Sequence, residues 1–494
     1  MLETQGEGKR PRGLRLLLGN TASYAASNLL QRSLTFLLIP LYARFFSRGE
    51  FGAMEQVYQM VMVLTLLSSV GLTAGLVRGI YLDKQNEDER DKMLGALVSL
   101  LLPLVACVVI GLWVWSEPIA QWLFHGEGSA NWIRLSALLF LAMSIQQLPM
   151  QLLRTMQDAK RYTLWSIVLF SLIAVGNVYL IVVRRWGLSG MIVGNILGFG
   201  VTGVLIGVPL LRKIRWNAEF RRLSPLFAFG LPMLPALLCR KILEIADRYI
   251  IPQYHGMETL GVYVMGAKVA NIIDIALLTP FLFAWQPYFY SHADNPDAPD
   301  IFASVTLYFL MLLCTGFLIL YATRDQLLSF LGGGKYSKAG PVVTVLALSA
   351  VFNGVQYCIS PGIHIRRKLV QEMMVMIAAA VVNLVLNFLL IPSHGGMGAA
   401  VATASAYFFY LVVTFALSNR NYPIPYYWNR IGNVTIQTMV AYIILIQFDS
   451  LLIKLSIFIL YLLTCPVLDL WRHGDWDKII QTCLCKGTLL KKAS

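Results

Sequence analysis

Long apolar stretches separated by short polar breaks dominate this sequence. Each stretch runs for roughly 20 residues, the length that carries a helix across the hydrocarbon of a bilayer. Walking the chain gives about fourteen of them. The first is rich in Ser and Asn rather than uniformly apolar, with Asn20, Ser23 and Asn28 where a cleavable signal peptide would have its apolar core. The polar breaks alternate in charge. With a cytoplasmic N-terminus, the inner loops hold Lys9, Arg10, Arg12, Lys84, Arg90, Lys160, Arg161, Arg366 and Arg367, and the basic stretch from Arg212 to Arg222. The opposite loops hold few cations, chiefly Arg48, Arg184, Arg185, Lys335 and Lys338. That asymmetry is the positive-inside pattern. It puts both termini in the cytoplasm and residues 116–131 outside. The pattern predicts an all-α polytopic membrane protein.

The apolar stretches repeat. Ile39-Pro40-Leu41-Tyr42 closes the first and Ile251-Pro252-Gln253-Tyr254 closes the seventh. Phe51-Gly52 is matched by Leu260-Gly261, Lys160 by Lys368, and Gly187-x-x-Gly190 by Gly395-x-x-Gly398. All of these shifts fall at about 208–212 residues, and independent markers that agree on one shift point to an internal duplication. The expected architecture is two six-helix lobes plus two extra C-terminal helices. Residues 1–211 would form the first lobe, 212–223 a cytoplasmic basic linker and 224–419 the second lobe. Residues 420–494 would hold the two added helices and a basic tail. An even number of spans per repeat keeps both halves in one orientation, and substrate sites in such proteins lie near the midplane between repeats.

Composition agrees with the pattern. The chain has 494 residues, 57% hydrophobic and 13% charged, where a soluble domain carries about a quarter charged residues. The net charge of +14 resides in the dispersed loops and does not imply a nucleic-acid partner. Of seven cysteines, five lie in apolar stretches, where Cys behaves as a small hydrophobe. Cys483 and Cys485 form a lone C-x-C in the tail, too little for a metal site. Gly332-Gly333-Gly334-Lys335 lacks the spacing of a phosphate loop. The sequence holds no metal-ligand cluster, nucleotide site or catalytic dyad, so neither an enzyme nor a cofactor is expected.

Five cations do stand out at membrane depth: Arg32, Arg240, Lys241, Arg248 and Lys268. A charge there costs at least about 2.5–3.5 kcal/mol, so such residues face a protein interior or a water-filled cavity. Arg240, Glu244 and Arg248 recur every fourth residue and share a helical face. Lys241 and Asp247 flank it, and Lys268 and Asp274 follow in the next stretch. Cations outnumber acids, which suits an anionic cargo bound through charge-assisted hydrogen bonds. Internal ion pairs that lock helices together are the other reading. Glu244, Asp247 and Asp274 are the candidates for ion coupling, because buried carboxylates serve as proton relays. Asn383 and Asn387 share a face, placed either to contact sugar hydroxyls or to link helices.

Gly19-Asn20, Ile39-Pro40-Leu41-Tyr42-Ala43-Arg44 and Glu50-Phe51-Gly52 resemble the start of bacterial polysaccharide biosynthesis membrane proteins. Gly71-Leu72 followed by Arg78 resembles the end of their second span. Asp247-Arg248-Tyr249-Ile250-Ile251, Gly261-Val262-Tyr263 and Ala267-Lys268 resemble the opening of their second repeat. The chain is similar over most of residues 15–420 to the Wzx-type oligosaccharide flippases, within the multidrug/oligosaccharidyl-lipid/polysaccharide exporter superfamily. The resemblance implies a bacterial inner-membrane flippase for an undecaprenyl-diphosphate-linked oligosaccharide. It would work by alternating access and serve O-antigen, capsule or exopolysaccharide assembly, with a polysaccharide polymerase and a chain-length regulator as partners. It carries over to Asp247, Arg248 and Lys268, which match its motif, and does not reach Arg240 or Lys241.

Two other classes are open to this sequence. A MATE-type cation-coupled drug exporter would favour acids in its cavity, yet residues 16–46 hold no Asp or Glu and do hold Arg32. A membrane glycosyltransferase or polymerase would need a sizeable external loop with catalytic acids or His, and the longest external loops, 116–131 and 323–340, are short.

Overall fold

A computed structural model describes residues 36–69, 87–156, 158–211, 219–224, 228, 234–448 and 450–467. Every regular element among the described residues is helical. In chain order the α-helices are α1 Ile39–Phe45, α2 Arg48–Ser69, α3 Glu87–Val114, α4 Ser116–Phe124, α5 Ala130–Thr155, α6 Ala159–Val178 and α7 Gly187–Leu211. They continue with α8 Leu234–Ala270, α9 Thr279–Ser291, α10 Ala298–Gly332, α11 Gly340–Ile359, α12 Pro361–Ile365, α13 Leu369–Asn421, α14 Trp428–Ile446 and α15 Leu451–Val467. Among the described residues, seven helical stretches are long and apolar enough to cross a membrane. Three of them, Leu237–Ser291, Ala298–Ile365 and Leu369–Asn421, run for 55, 68 and 53 residues. At 1.5 Å per residue these measure about 80–100 Å, far more than the ~30 Å hydrocarbon layer, so each is long enough for more than one crossing.

The breaks within them have local causes. Gly256 in α8 has φ 74° and Gly395 in α13 has φ 54°, a left-handed backbone that glycine adopts at no steric cost. Gly187, which opens α7, has φ 54° as well. Helix starts are capped by side chains. Ser47 and Glu50 form a reciprocal capping box at α2, with Ser47 N–H donating to Glu50 Oε2 at 2.9 Å and Glu50 N–H to Ser47 Oγ at 3.1 Å. Asp158 accepts from the Arg161 N–H at 3.1 Å at the start of α6.

The chain divides into two compact units, Met1–Val264 and Met265–Ser494, and the division falls inside α8. In the first unit, α7 packs closely on α5 and α6 through small residues. A Cβ on Gly203 would stand 3.0 Å from the Gln146 nitrogen, and one on Gly194 would overlap the Asn177 side chain. Asn177, fully buried, donates from Nδ2 to Tyr42 Oη at 2.7 Å and to Asn195 Oδ1 at 3.5 Å. The second unit shows the same device across the Gly395 break. Asn387 Nδ2 donates to Asn383 Oδ1 at 3.0 Å, and Asn383 Nδ2 to Thr403 Oγ1 at 3.5 Å. The Asn383–Asn387 pair is buried and ties two halves of α13 together, the helix-linking alternative. The segment between α13 and α14 folds back onto Trp285, Phe289 and Phe302 through Ile424 and Tyr426. Burial there raises the phenols of Tyr422 and Tyr426 above their ordinary value.

Candidate functional site

The charged stretch of α8 has two ends of different character. At the N-terminal end, Glu244 sits between two cations. Arg240 Nε lies 3.3 Å from Glu244 Oε1, and Lys241 Nζ lies 3.4 Å from Glu244 Oε2. These side chains are accessible: Arg240 44%, Lys241 25% and Glu244 38%. Arg240 and Lys241 thus share one carboxylate. The four-residue spacing puts Arg240 and Glu244 on one face, as the sequence pattern predicts, and Lys241 reaches Glu244 from the flank of that face.

One turn farther on, the helix enters the protein. Arg248 is 14% exposed, and its partners Asp247 and Glu55 are 4% and 1% exposed. Arg248 Nε donates to Glu55 Oε1 at 3.1 Å, and Nη1 donates to Asp247 Oδ1 at 3.1 Å. Nη1 also donates to the Glu244 carbonyl oxygen. Arg248 thus takes the backbone of Glu244 and leaves its carboxylate to Arg240 and Lys241. Asp247 is further held by the Arg248 N–H at 2.8 Å and by the Tyr263 hydroxyl. From α2, Gln59 Nε2 donates to Glu55 Oε1 at 2.7 Å, and Gln56 Nε2 donates to the Arg248 carbonyl oxygen at 3.1 Å. The planar guanidinium can serve two carboxylates at once, which an ammonium group does less well.

Beside this network, α2 and the C-terminal half of α8 approach to backbone distance. A Cβ on Gly52 would stand 2.7 Å from the Met257 carbonyl oxygen and 3.1 Å from the Gly261 nitrogen. A Cβ on Gly261 would overlap the Arg48 carbonyl oxygen. Gly52 and Gly261 are the two glycines that the sequence repeat matches with one another, and here they pack together.

The other candidates fall elsewhere. Arg32 lies outside the described residues. Lys268 and Asp274 are half-buried and belong to the second unit, Asp274 at the start of a π-helical segment, Asp274–Leu278. Among the described residues no group of three or more His, Cys, Asp or Glu could hold a metal ion. Two buried charges escaped the sequence reading. Glu55 was masked by its place among the apolar residues of α2. Lys454 of α15 is 4% exposed, its Nζ 5.7 Å from the centre of the Tyr321 ring. The second unit also has a half-open apolar cavity of about 620 Å³, lined by residues such as Leu310, Phe317, Phe352, Phe415, Trp428 and Tyr442 of α10, α11, α13 and α14.

Long apolar helices with a charged, partly buried stretch fit a membrane protein, and comparison with known proteins gives its family. The family model for polysaccharide biosynthesis proteins matches residues 17–292, more than half of the chain, and the protein belongs to that family. The succinoglycan biosynthesis transport protein ExoT of Rhizobium meliloti (strain 1021) is 24% identical over 333 residues, 64% of this chain and 62% of the relative. The chain thus spans less than two thirds of the length of that relative. The probable low-salt glycan biosynthesis flippase Agl15 of Haloferax volcanii is 19% identical over 436 residues, 86% of this chain and 88% of the relative. Among solved structures, the lipid II flippase MurJ in an inward closed conformation superposes with a TM-score of 0.70 over 91% of this chain and 99% of that chain, at 16% identity. A multidrug resistance MATE family transporter in an inward-facing conformation gives 0.59 over 83% of this chain and 95% of that chain, at 14% identity. At such identities these two likenesses concern the fold alone. The protein is an all-helical, multi-pass membrane protein of a transport family.

Proposed function

We propose that this protein is a flippase that turns a lipid-diphosphate-linked oligosaccharide from the cytoplasmic to the outer leaflet, for assembly of a surface polysaccharide. The observation that carries the reading is the accessible end of α8, where Arg240 and Lys241 outnumber Glu244. A diphosphate loses water on entering a chamber, and Arg or Lys replaces that hydration with charge-assisted hydrogen bonds. The apolar cavity of the second unit has the character a hydrocarbon chain needs, with very little polar lining. The names of ExoT and Agl15 support glycan transport as the family's work.

In this reading Arg32, Arg240, Lys241, Arg248 and Lys268 belong to the substrate path, and Glu244, Asp247 and Asp274 are candidates for ion coupling. The chain has fourteen spans, as two six-helix lobes at 1–211 and 224–419 joined by 212–223, with two more helices in 420–494. The carrier lipid is undecaprenyl diphosphate, the membrane is the bacterial inner membrane, and both termini are cytoplasmic. A polymerase and a chain-length regulator take over the product.

The test is reconstitution in liposomes. The share of lipid-linked oligosaccharide in each leaflet is read with an impermeant enzyme. The wild type is expected to equilibrate the leaflets, and Arg240→Ala to slow it. A protein that moves no such lipid, yet exports an organic cation against a proton or sodium gradient, is a MATE-type exporter instead.

A further inference from the structure

Lys454 is a cation that the folded chain encloses without neutralising it. The residue is 4% exposed. Among the described residues its ammonium group has neither a carboxylate nor a hydrogen-bond partner, and what it meets is the Tyr321 ring, whose centre lies 5.7 Å from Nζ. A ring face attracts a cation but does not cancel its charge. An enclosed charge without a counter-charge is costly, above all at membrane depth. The position adds to the cost. Lys454 stands in the first turn of α15. That end of a helix dipole disfavours a cation and favours an anion.

A second cation faces the same ring. The Arg324 guanidinium of α10 lies 4.4 Å from the Tyr321 ring centre, and its side chain is 19% exposed. Its Nη1 donates to Thr344 Oγ1 at 2.6 Å. Its Nε is buried without a hydrogen bond and has only the ionic attraction of Asp325 Oδ1 at 3.5 Å. Asp325 itself points mainly to solvent, at 53% exposed. Among the described residues no other acid pairs with this group, so Arg324, Lys454 and Asp325 sum to one positive charge. The group adjoins the apolar cavity of the second unit. Thr344, which Arg324 holds, lines that cavity, and so does Tyr442, whose ring meets Tyr321 edge-on at 4.9 Å. The cations thus stand one side chain behind the cavity wall. The cavity's 620 Å³ is in the range of about 300–1,000 Å³ that small ligands occupy. Its lining is too apolar to hold ordered water. Unspent positive charge beside an apolar space fits a molecule with an anionic head and a hydrocarbon chain.

We propose that this cavity is the site of an anionic phospholipid drawn from the surrounding bilayer, with an acyl chain in the apolar space and the phosphate against Lys454 and Arg324. The phosphate supplies the counter-charge that Lys454 lacks, and its oxygens accept the N–H that Arg324 Nε leaves unused. Basic pockets between membrane helices take anionic head groups in this way. A zwitterionic lipid brings a cation of its own to the same place and gains less. Because Lys454 belongs to α15 and Arg324 to α10, the lipid also ties the C-terminal helix to the rest of the second unit. The occupant is a resident lipid and not the cargo, so the site stands or falls independently of the flippase reading.

Native mass spectrometry of the full-length protein in neutral detergent tests the site without transport. The protein is titrated with phosphatidylglycerol or with phosphatidylcholine of the same acyl chains. The wild type should retain a single phosphatidylglycerol under activation that strips phosphatidylcholine, and its thermal unfolding should shift upwards with phosphatidylglycerol alone. Lys454→Met removes the charge and keeps an apolar stem. It should fold, lose the preference for phosphatidylglycerol several-fold and lose the thermal shift. Lys454→Arg should keep both, and Arg324→Gln should weaken both. If Lys454→Met does not accumulate, Thr435→Trp serves: it fills the cavity from α14, leaves both cations in place and should weaken retention several-fold. Equal retention of the two lipids by the wild type overturns the proposal, as does undiminished retention of phosphatidylglycerol in Lys454→Met or in Thr435→Trp. A lipid-diphosphate-linked oligosaccharide that displaces phosphatidylglycerol, and whose own retention falls in Lys454→Met, assigns the cavity to the cargo and overturns it too.

Discussion

Glu244 and Arg248 stand four positions apart, yet the two ends of this charged stretch obey different physics. At the outer end Arg240, Lys241 and Glu244 pair within one helix and keep a quarter or more of their side-chain surface. Exposed pairs of this kind contribute about 0–1 kcal/mol. At the inner end Arg248 reaches across to Glu55, 193 residues earlier, and all three charged groups are nearly or fully enclosed. Removing one partner there strands the others, at about 3–5 kcal/mol. The outer charges keep contact with the surroundings, whereas the inner ones join α2 to α8.

The largest effect is expected from Arg248→Ala, which leaves Glu55 and Asp247 buried together. Its thermal unfolding in detergent should reveal a loss of about 3–5 kcal/mol. A melting curve like that of the wild type would mean that the inner network is not a joint at all. Next comes Gly261→Ala, whose added methyl group would collide with the Arg48 carbonyl oxygen. Helices must part to admit it, so a loss of about 1–3 kcal/mol is expected by the same measurement. Gly52→Ala, with 2.7 Å available, should behave in the same direction. Double-mutant cycles then compare the two ends directly. Glu55→Gln with Arg248→Ala should give a coupling of about 0.5–3 kcal/mol, the range for residues in one network. Glu244→Gln with Arg240→Ala should give about 0.3–0.5 kcal/mol. Equal couplings would erase the distinction. The smallest change in stability is expected from Arg240→Ala itself, within about 1 kcal/mol, while the leaflet assay should register a clear loss. Arg240→Lys separates charge from geometry: near-normal flipping means that charge suffices, and poor flipping means that the guanidinium fork is needed.

Much of the fold was readable from the chain because bilayer crossing imposes a simple rule of length and polarity. The α8 face was readable for a similar reason: Arg240 and Glu244 lie one turn apart on one helix, and helix geometry alone makes them neighbours. Glu55 was not readable. Nothing local marks it, and its partner comes from a distant helix, so only the folded chain reveals the pair. Glu50, Phe51 and Gly52, which carry part of the family resemblance, also have local work to do. The glutamate closes a capping box with Ser47, and the glycine admits the Gly261 backbone. The Asn383–Asn387 face was visible in the sequence, but its helix-linking bond, from Asn383 to Thr403 across the Gly395 break at 3.5 Å, was not. Lys454 went unnoticed because one cation in an apolar helix looks like a boundary, and the Tyr321 ring beneath it is far away in sequence.

The long reach from Glu55 to Arg248 also sets a timetable for biogenesis. The ribosome delivers α2 well before α8. At about 5–20 residues per second, the 193 residues between the partners take about 10–40 s to make. During that interval a nascent chain carries Glu55 without its Arg248 partner. The bridge from α2 to α8 cannot close until Arg248 emerges. Chains arrested before α8 are therefore expected to be retained by the insertion machinery or degraded. The same arrested chains carrying Glu55→Leu should settle in the bilayer, and pulse–chase labelling of the two would show whether α8 completes the insertion of a helix made half a minute earlier.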